Sequence, residues 1–170
     1  IDNTHKVAQA VVQGTADLGF VEGIIDEPAL SIEAVATDQI VAVVAPDHPW
    51  ASGKRLLRAD LLEAQWILRE KGSGTRSALE CALKAMNVDF DALNVALTLP
   101  SNEAVRSSLI VGKFATAMSE LVVASYLRAG SLAKANIDLP TRAFYLLRHS
   151  ERYKTKASLA LEAIIRLSDT

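Results

Sequence analysis

Cysteine is nearly absent from this chain: Cys81 is the single one in 170 residues. An internal disulfide is therefore excluded, and the composition fits a reducing, cytoplasmic setting. Cys81 falls between Leu79 and Leu83 on an apolar helical pattern, which predicts a buried, inert thiol. No apolar run approaches the roughly 18 residues that a membrane span needs, and no signal peptide is visible, so a membrane partner is not expected. Neither sign of charge dominates. The net charge of −2 gives this chain no electrostatic reason to hold nucleic acid by itself, and no sequence-dependent DNA binding is expected of it. His5, His48 and His149 lie far apart, and HxxxH, HExxH and CxxC spacings are all missing, so no metal site is expected. GxSxG is missing too, and no histidine is placed by a motif to act as base for Ser73, Ser101 or Ser119. Helix capping is the better reading of those three serines, and neither a catalytic residue nor a cofactor is expected.

What is present is a soluble, globular composition, 50% hydrophobic and 22% charged, long enough to bury about 70% of its unfolded surface. Asn3 or Thr4 can cap a helix that runs to Gln13 and stops at Gly14. Asp17 to Val21 reads as a short strand, and Leu30, Ile32 and Ala34 alternate as a half-buried one. Ile40 to Ala45 is apolar on both faces, as an interior strand should be. A short helix over Ala59–Ala64, a strand around Trp66 and a helix from Ser77 to Met86 follow. Asn94–Leu99 and Phe114–Met118 read as strands, each leading into a helix, the second of which starts at Ser119 and reaches Arg128. Leu132–Leu139 is extended, Arg142–Arg148 is a strand, and Thr155 caps a last helix with Ala160, Ile164 and Leu167 in one stripe. Strands alternate with helices throughout, which predicts an α/β fold with mostly parallel pairing.

The most informative stretch is Glu70-Lys71-Gly72-Ser73-Gly74-Thr75-Arg76, between the Trp66 strand and the Cys81 helix. Two glycines permit a tight turn and close backbone approach, and Ser73 or Thr75 can cap the helix. Free N–H groups and the helix dipole both favour negative charge there, so the loop suits a small anion or carboxylate. It equally suits a capped helix start with no ligand. It is no nucleotide loop, since GxxxxGK[ST] and GxGxxG are both absent. Two other strand-to-helix junctions have the same character, Ser101 to Glu103 and Met118-Ser119, and open sheets bind ligands at such ends. Arg69, Arg76 and Arg106 are ambiguous between ligand and solvent, and Glu22 and Glu103 are candidates for a carboxylate pair of unknown separation.

The order of these pieces resembles the effector-binding domain of LysR-type transcriptional regulators. The resemblance rests on Gly14-Thr15-Ala16-Asp17-Leu18-Gly19-Phe20-Val21-Glu22-Gly23, on Ala45-Pro46-Asp47-His48-Pro49, on Trp66 to Arg76, and on Ser101-Asn102-Glu103-Ala104-Val105. It covers nearly the whole chain. It implies a two-lobe, type II periplasmic-binding-protein-like fold, with lobe one at 1–45 plus 146–170 and lobe two at 46–145. It implies a non-enzyme that binds a small effector between the lobes, with Ser73, Gly74, Thr75, Ser101 and Asn102 on the second lobe's wall. DNA would be a partner only through a helix-turn-helix absent from this chain, and the assembly would be a homodimer or higher oligomer. A solute-binding protein of a transport system shares the fold and is the alternative. The chain departs from the family at Gly112-Lys113-Phe114, where Gly-Leu-Gly is usual; Phe114 either packs in the core or narrows the pocket. By the same comparison the first strand and helix of lobe one would precede Ile1, leaving Asp17–Val21 as an open edge prone to self-association.

Overall fold

The computed structural model describes residues 2–23 and 25–168, with side chains as far as residue 165. The chain forms two compact units. One takes the residues up to Thr37, Gly72–Gly74 and those from Arg142 on; the other takes Asp38–Lys71 and Thr75–Thr141.

In the first unit, helix α1 (Thr4–Gln13) begins at Asn3, whose side chain accepts a hydrogen bond from the Lys6 N–H at 3.1 Å. It ends at Gly14, which takes the left-handed conformation at φ 76° that a side chain would resist. Strand β1 (Leu18–Glu22) runs antiparallel to β7 (Thr141–His149), with Phe20 opposite Leu146. In sheet order β7 also neighbours β2 (Leu30–Val44), which leaves β1 at the end of the row. Ala8 and Val11 of α1 pack on Val21, Leu30 and Leu147. Gly19 lies beneath Val7 and Val11, where an added methyl would meet Val7 at 2.7 Å. Helix α6 (Lys156–Ser168) is capped as expected, Thr155 Oγ1 accepting from the Ser158 N–H at 3.1 Å. Its stripe is the opposite of the expected one. Ser158 and Glu162 are buried, while Leu159, Ala160, Leu161 and Ile164 face outward. The side chain of Leu167 lies outside the described residues.

The second unit is built on the far half of β2. Ile40 to Val44 pair antiparallel with β5 (Phe114–Ser119), and Val43 and Val44 with the two-residue β6 (Ala133–Lys134). Strand β3 (Gln65–Arg69) is parallel to both β5 and β4 (Asn94–Leu99). Alternate residues feed two cores. Ile40, Ala42, Val44, Trp66 and Leu68 face Leu79 and Leu83 of α3 (Gly74–Ala85) together with Trp50 and Leu61, the latter on α2 (Arg58–Glu63). Val41, Val43, Ile67 and Met118 face Val105 and Leu109 of α4 (Asn102–Leu109) and Val123 of α5 (Glu120–Arg128). A strand covered on both faces has no polar alternation to show, which explains the apolar run at 40–45. Phe114 packs against this second core, its ring under Gly112.

Three further expectations are corrected. Pairing is mixed rather than mostly parallel, because β2 meets β5 and β6, and β1 meets β7, in the antiparallel sense. The two strands expected over 30–34 and 40–45 are one strand of 15 residues. Cys81 is exposed, because α3 turns Leu79, Ala82 and Leu83 inward and leaves position 81 on the solvent side. The helix periodicity was legible, but which residue falls at its margin was not.

Candidate functional site

In the second unit, β3 and β4 are parallel neighbours with Arg69 opposite Leu99, so their carboxyl ends share one sheet edge. The N-termini of α3 and α4 start from that edge, since Gly74 and Asn102 follow within a few residues. Thr75 is 2% exposed in the first turn of α3. Ser101 is the N-cap of α4; its Oγ accepts from the Ala104 N–H at 3.1 Å, which leaves its own O–H able to donate. Asn102 is partly buried beside it, and Arg69 Nη1 donates to its Oδ1 at 2.6 Å. A guanidinium has donors only, so the Asn102 carbonyl oxygen must face Arg69 and its amide N–H₂ faces away. Arg69 is itself clamped by the Glu70 carboxylate at 2.8 and 3.2 Å. The edge therefore presents the Ser101 hydroxyl, the Asn102 amide and helix N–H groups, a set of donors suited to an anion.

The other two arginines left ambiguous by the sequence, Arg76 and Arg106, are engaged within the second unit. Arg76, ambiguous in sequence, turns back along its own helix: Nε donates to Glu80 at 2.8 Å, Nη1 to the Arg69 carbonyl at 3.3 Å, and the guanidinium lies 5.1 Å from the Phe90 ring centre. Arg106 stacks 4.3 Å over Tyr126. Ser119 is corrected as a cap: no N–H of α5 bonds to it, and its Oγ donates to the buried carboxylate of Asp38 at 2.8 Å. The sequence reading missed the role of Arg69. Its only signal was a cation closing a strand just before the glycine loop.

In the first unit, Ser73 is 2% exposed and Gly74 is buried. Gly74 lies directly against the Glu22 carbonyl oxygen, which also accepts from Thr4 Oγ1 at 2.8 Å. A methyl at Gly74 would overlap that carbonyl, so this approach requires glycine. The Glu22 carboxylate, at the end of β1, forms an ion pair with the buried Arg142. The candidate pairing of Glu22 with Glu103 gains no support, since Glu22 has a cation and Glu103 is exposed in the first turn of α4. Among the described residues, no helix is long and apolar enough to cross a membrane.

The family model of the LysR substrate binding domain matches residues 1–168. The regulator YeiE of Escherichia coli K12 is 31% identical over 159 residues, which cover 92% of this chain and 53% of YeiE. The regulator CysL of Bacillus subtilis is 32% identical over 123 residues, 72% of this chain and 40% of CysL. The chain thus spans about half the length or less of these curated relatives. Among solved structures, the regulatory domain of CcmR from Synechocystis PCC6803, in complex with 2-PG, superposes with a TM-score of 0.85 at 24% identity, covering 98% of this chain and 79% of that one. The effector-binding domain of QuiR with shikimate gives 0.83 at 19%, covering 96% and 76%. The sulfate-bound regulatory domain of OxyR2 from Vibrio vulnificus gives 0.77 at 16%, covering 96% and 77%. These likenesses show a shared type II periplasmic-binding-protein-like α/β fold. The match along nearly its full length goes beyond the fold: this chain belongs to the LysR substrate-binding domain family.

Proposed function

We propose that this domain senses a small anionic or carboxylate effector at the carboxyl ends of β3 and β4. Thr75, Ser101 and Asn102 supply side-chain donors, and the turn Ser73-Gly74 leading into α3 supplies backbone N–H groups. The observation that carries this reading is the Arg69–Asn102 bond at 2.6 Å, which takes the Asn102 oxygen and leaves its N–H₂ as a donor at the start of α4, next in the chain to the Ser101 cap. The solved relatives hold shikimate and sulfate, both anions, on the same fold. YeiE and CysL are transcriptional regulators of the helix-turn-helix type, so in this reading DNA is contacted through a part of the parent protein outside this chain. Binding would act on that part, in a cytoplasmic homodimer or higher oligomer, without chemistry on the ligand.

Calorimetric titration with shikimate, sulfate and a panel of small carboxylates tests this. Thr75→Ala is expected to weaken the ligands that bind by about 1 kcal/mol, the worth of one hydrogen bond. Equal affinity of wild type and Thr75→Ala for every ligand that binds would remove Thr75 from the site.

A further inference from the structure

A cavity of about 440 Å³ lies wholly in the second unit, within the size range of small-molecule sites. Its wall includes His48, Trp50, Lys54, Leu56, Glu63 and Lys113. It reaches Gln65, where β3 begins, whereas Ser101 and Asn102 lie where β3 and β4 end.

His48 is 7% exposed and its ring is held on two sides. Nδ1 accepts from the Trp50 N–H at 3.1 Å, and the ring meets Trp50 edge-on at 5.3 Å. Trp50 in turn lies edge-on to the buried Trp66 at 5.6 Å. Burial keeps the imidazole neutral at pH 7, with Asp47 opposing and Lys113 assisting. A neutral ring whose Nδ1 accepts carries its proton on Nε2. No described residue takes a hydrogen bond from that N–H. Nor is it sealed in, since among the described residues Glu162 Oε1 alone is a buried side-chain N or O atom without a partner. A buried ring on the cavity wall therefore offers a fixed, unused donor that solvent can reach.

Lys113 lines the same cavity and lies close enough to His48 to act on its charge. Neither Lys113 nor Lys54 is held by an ion pair or hydrogen bond among the described residues. A neutral N–H and an ammonium beside it call for an anionic acceptor with two oxygens, which a carboxylate supplies. Trp50 and Leu56 suit an apolar body, which an inorganic anion lacks. Two carboxylates of α2 also reach the wall. Asp60 accepts from the Leu57 N–H at 2.6 Å, while Glu63 has no partner among the described residues. Glu63 would repel a plain acid and attract an ammonium carried by the same ligand.

We propose that this cavity is a second ligand site, taking a small organic carboxylate whose oxygens accept from His48 Nε2–H and Lys113 Nζ. Plain acids and α-amino acids share that chemistry, and Glu63 favours the amino acids. The site is separate from the edge at the far end of β3, so neither proposal depends on the other.

The test is titration of the protein at about pH 7.5, a unit above the ordinary imidazole pKa, followed by amide chemical shifts and by the His48 ring N–H. The probes are leucine, isocaproate, which lacks its ammonium, and leucinamide, which lacks its carboxylate. Leucine or isocaproate is expected to shift amides within residues 48–65 and that of Lys113, saturably. Each carboxylate that binds there is expected to do so at least about tenfold more tightly than leucinamide, as one hydrogen bond to a charged group implies. Tighter binding of leucine identifies the amino acids as the source, and tighter binding of isocaproate the plain acids. His48→Asn keeps an acceptor for the Trp50 N–H and Lys113→Met keeps the stem without its charge; each is expected to weaken binding about tenfold. Leucinamide binding as tightly as the carboxylates would overturn the proposal. So would unchanged affinity in both variants, shifts confined to residues 73–75 and 101–104, or the absence of binding. The wild-type comparison and Lys113→Met decide even where His48→Asn lowers the yield of folded protein.

Discussion

At the scale of single residues, an arginine decides what its neighbour can offer. Arg69 takes the Asn102 oxygen and so turns an ambivalent amide into a donor. His48 shows the same logic in a structural role. Its Nδ1 accepts from the Trp50 N–H at 3.1 Å and starts a short 3₁₀ turn, with the ring 5.3 Å from Trp50 in an edge contact. Burial holds the His48 pKa below its ordinary 6.5, against the opposing pull of Asp47. The unfolded chain therefore takes a proton near pH 6.5 while the folded one does not, so this contribution is full above that pH and lost as pH falls through the folded value. Stability to urea is expected to fall between about pH 7 and pH 5 in the wild type, and to fall less in His48→Asn, which keeps an acceptor for Trp50 but does not titrate there. Identical pH profiles would show that His48 is not the group responsible.

At the scale of elements, two serines at strand-to-helix junctions look alike in sequence and differ in use. Ser101 caps α4 through the Ala104 N–H, so Ser101→Ala is expected to cost about 1 kcal/mol of stability. Ser119 Oγ bonds the Asp38 carboxylate, and both residues are 3% exposed. Ser119→Ala removes a donor from a buried charge and is expected to cost more, about 1–3 kcal/mol. Chemical denaturation of the two variants compares them directly; a smaller loss for Ser119→Ala would contradict the assignment. The elements themselves were largely legible. Asn3, Gly14, Ser101 and Thr155 mark real helix ends, because capping is a local interaction that spacing reveals. What spacing cannot reveal is the partner brought from afar. Asp38 lies 81 residues before Ser119, and the burial of Glu162 contradicts the apolar stripe beside it. The mixed pairing was hidden for the same reason: strand order is set by contacts across the chain.

At the scale of the molecule, the resemblance of four motifs in order anticipated the family and its fold. The donors of the candidate site were legible as residue types, and their geometry was not. That Thr75, Ser101 and Asn102 start from one edge depends on β3 and β4 pairing in parallel, which no local pattern specifies. The exposed apolar residues of α6, Leu159, Leu161 and Ile164, were equally invisible, since helical periodicity gives a face without saying which way it turns. The central claim is that this edge is where a small anion is sensed. Amide chemical shifts recorded while sulfate, shikimate and other small carboxylates are titrated in test it most directly. At least one of these anions is expected to shift the amides of residues 73–75 and 101–104 together, saturably and with one affinity. A ligand that binds tightly while leaving both helix starts unmoved would contradict the claim.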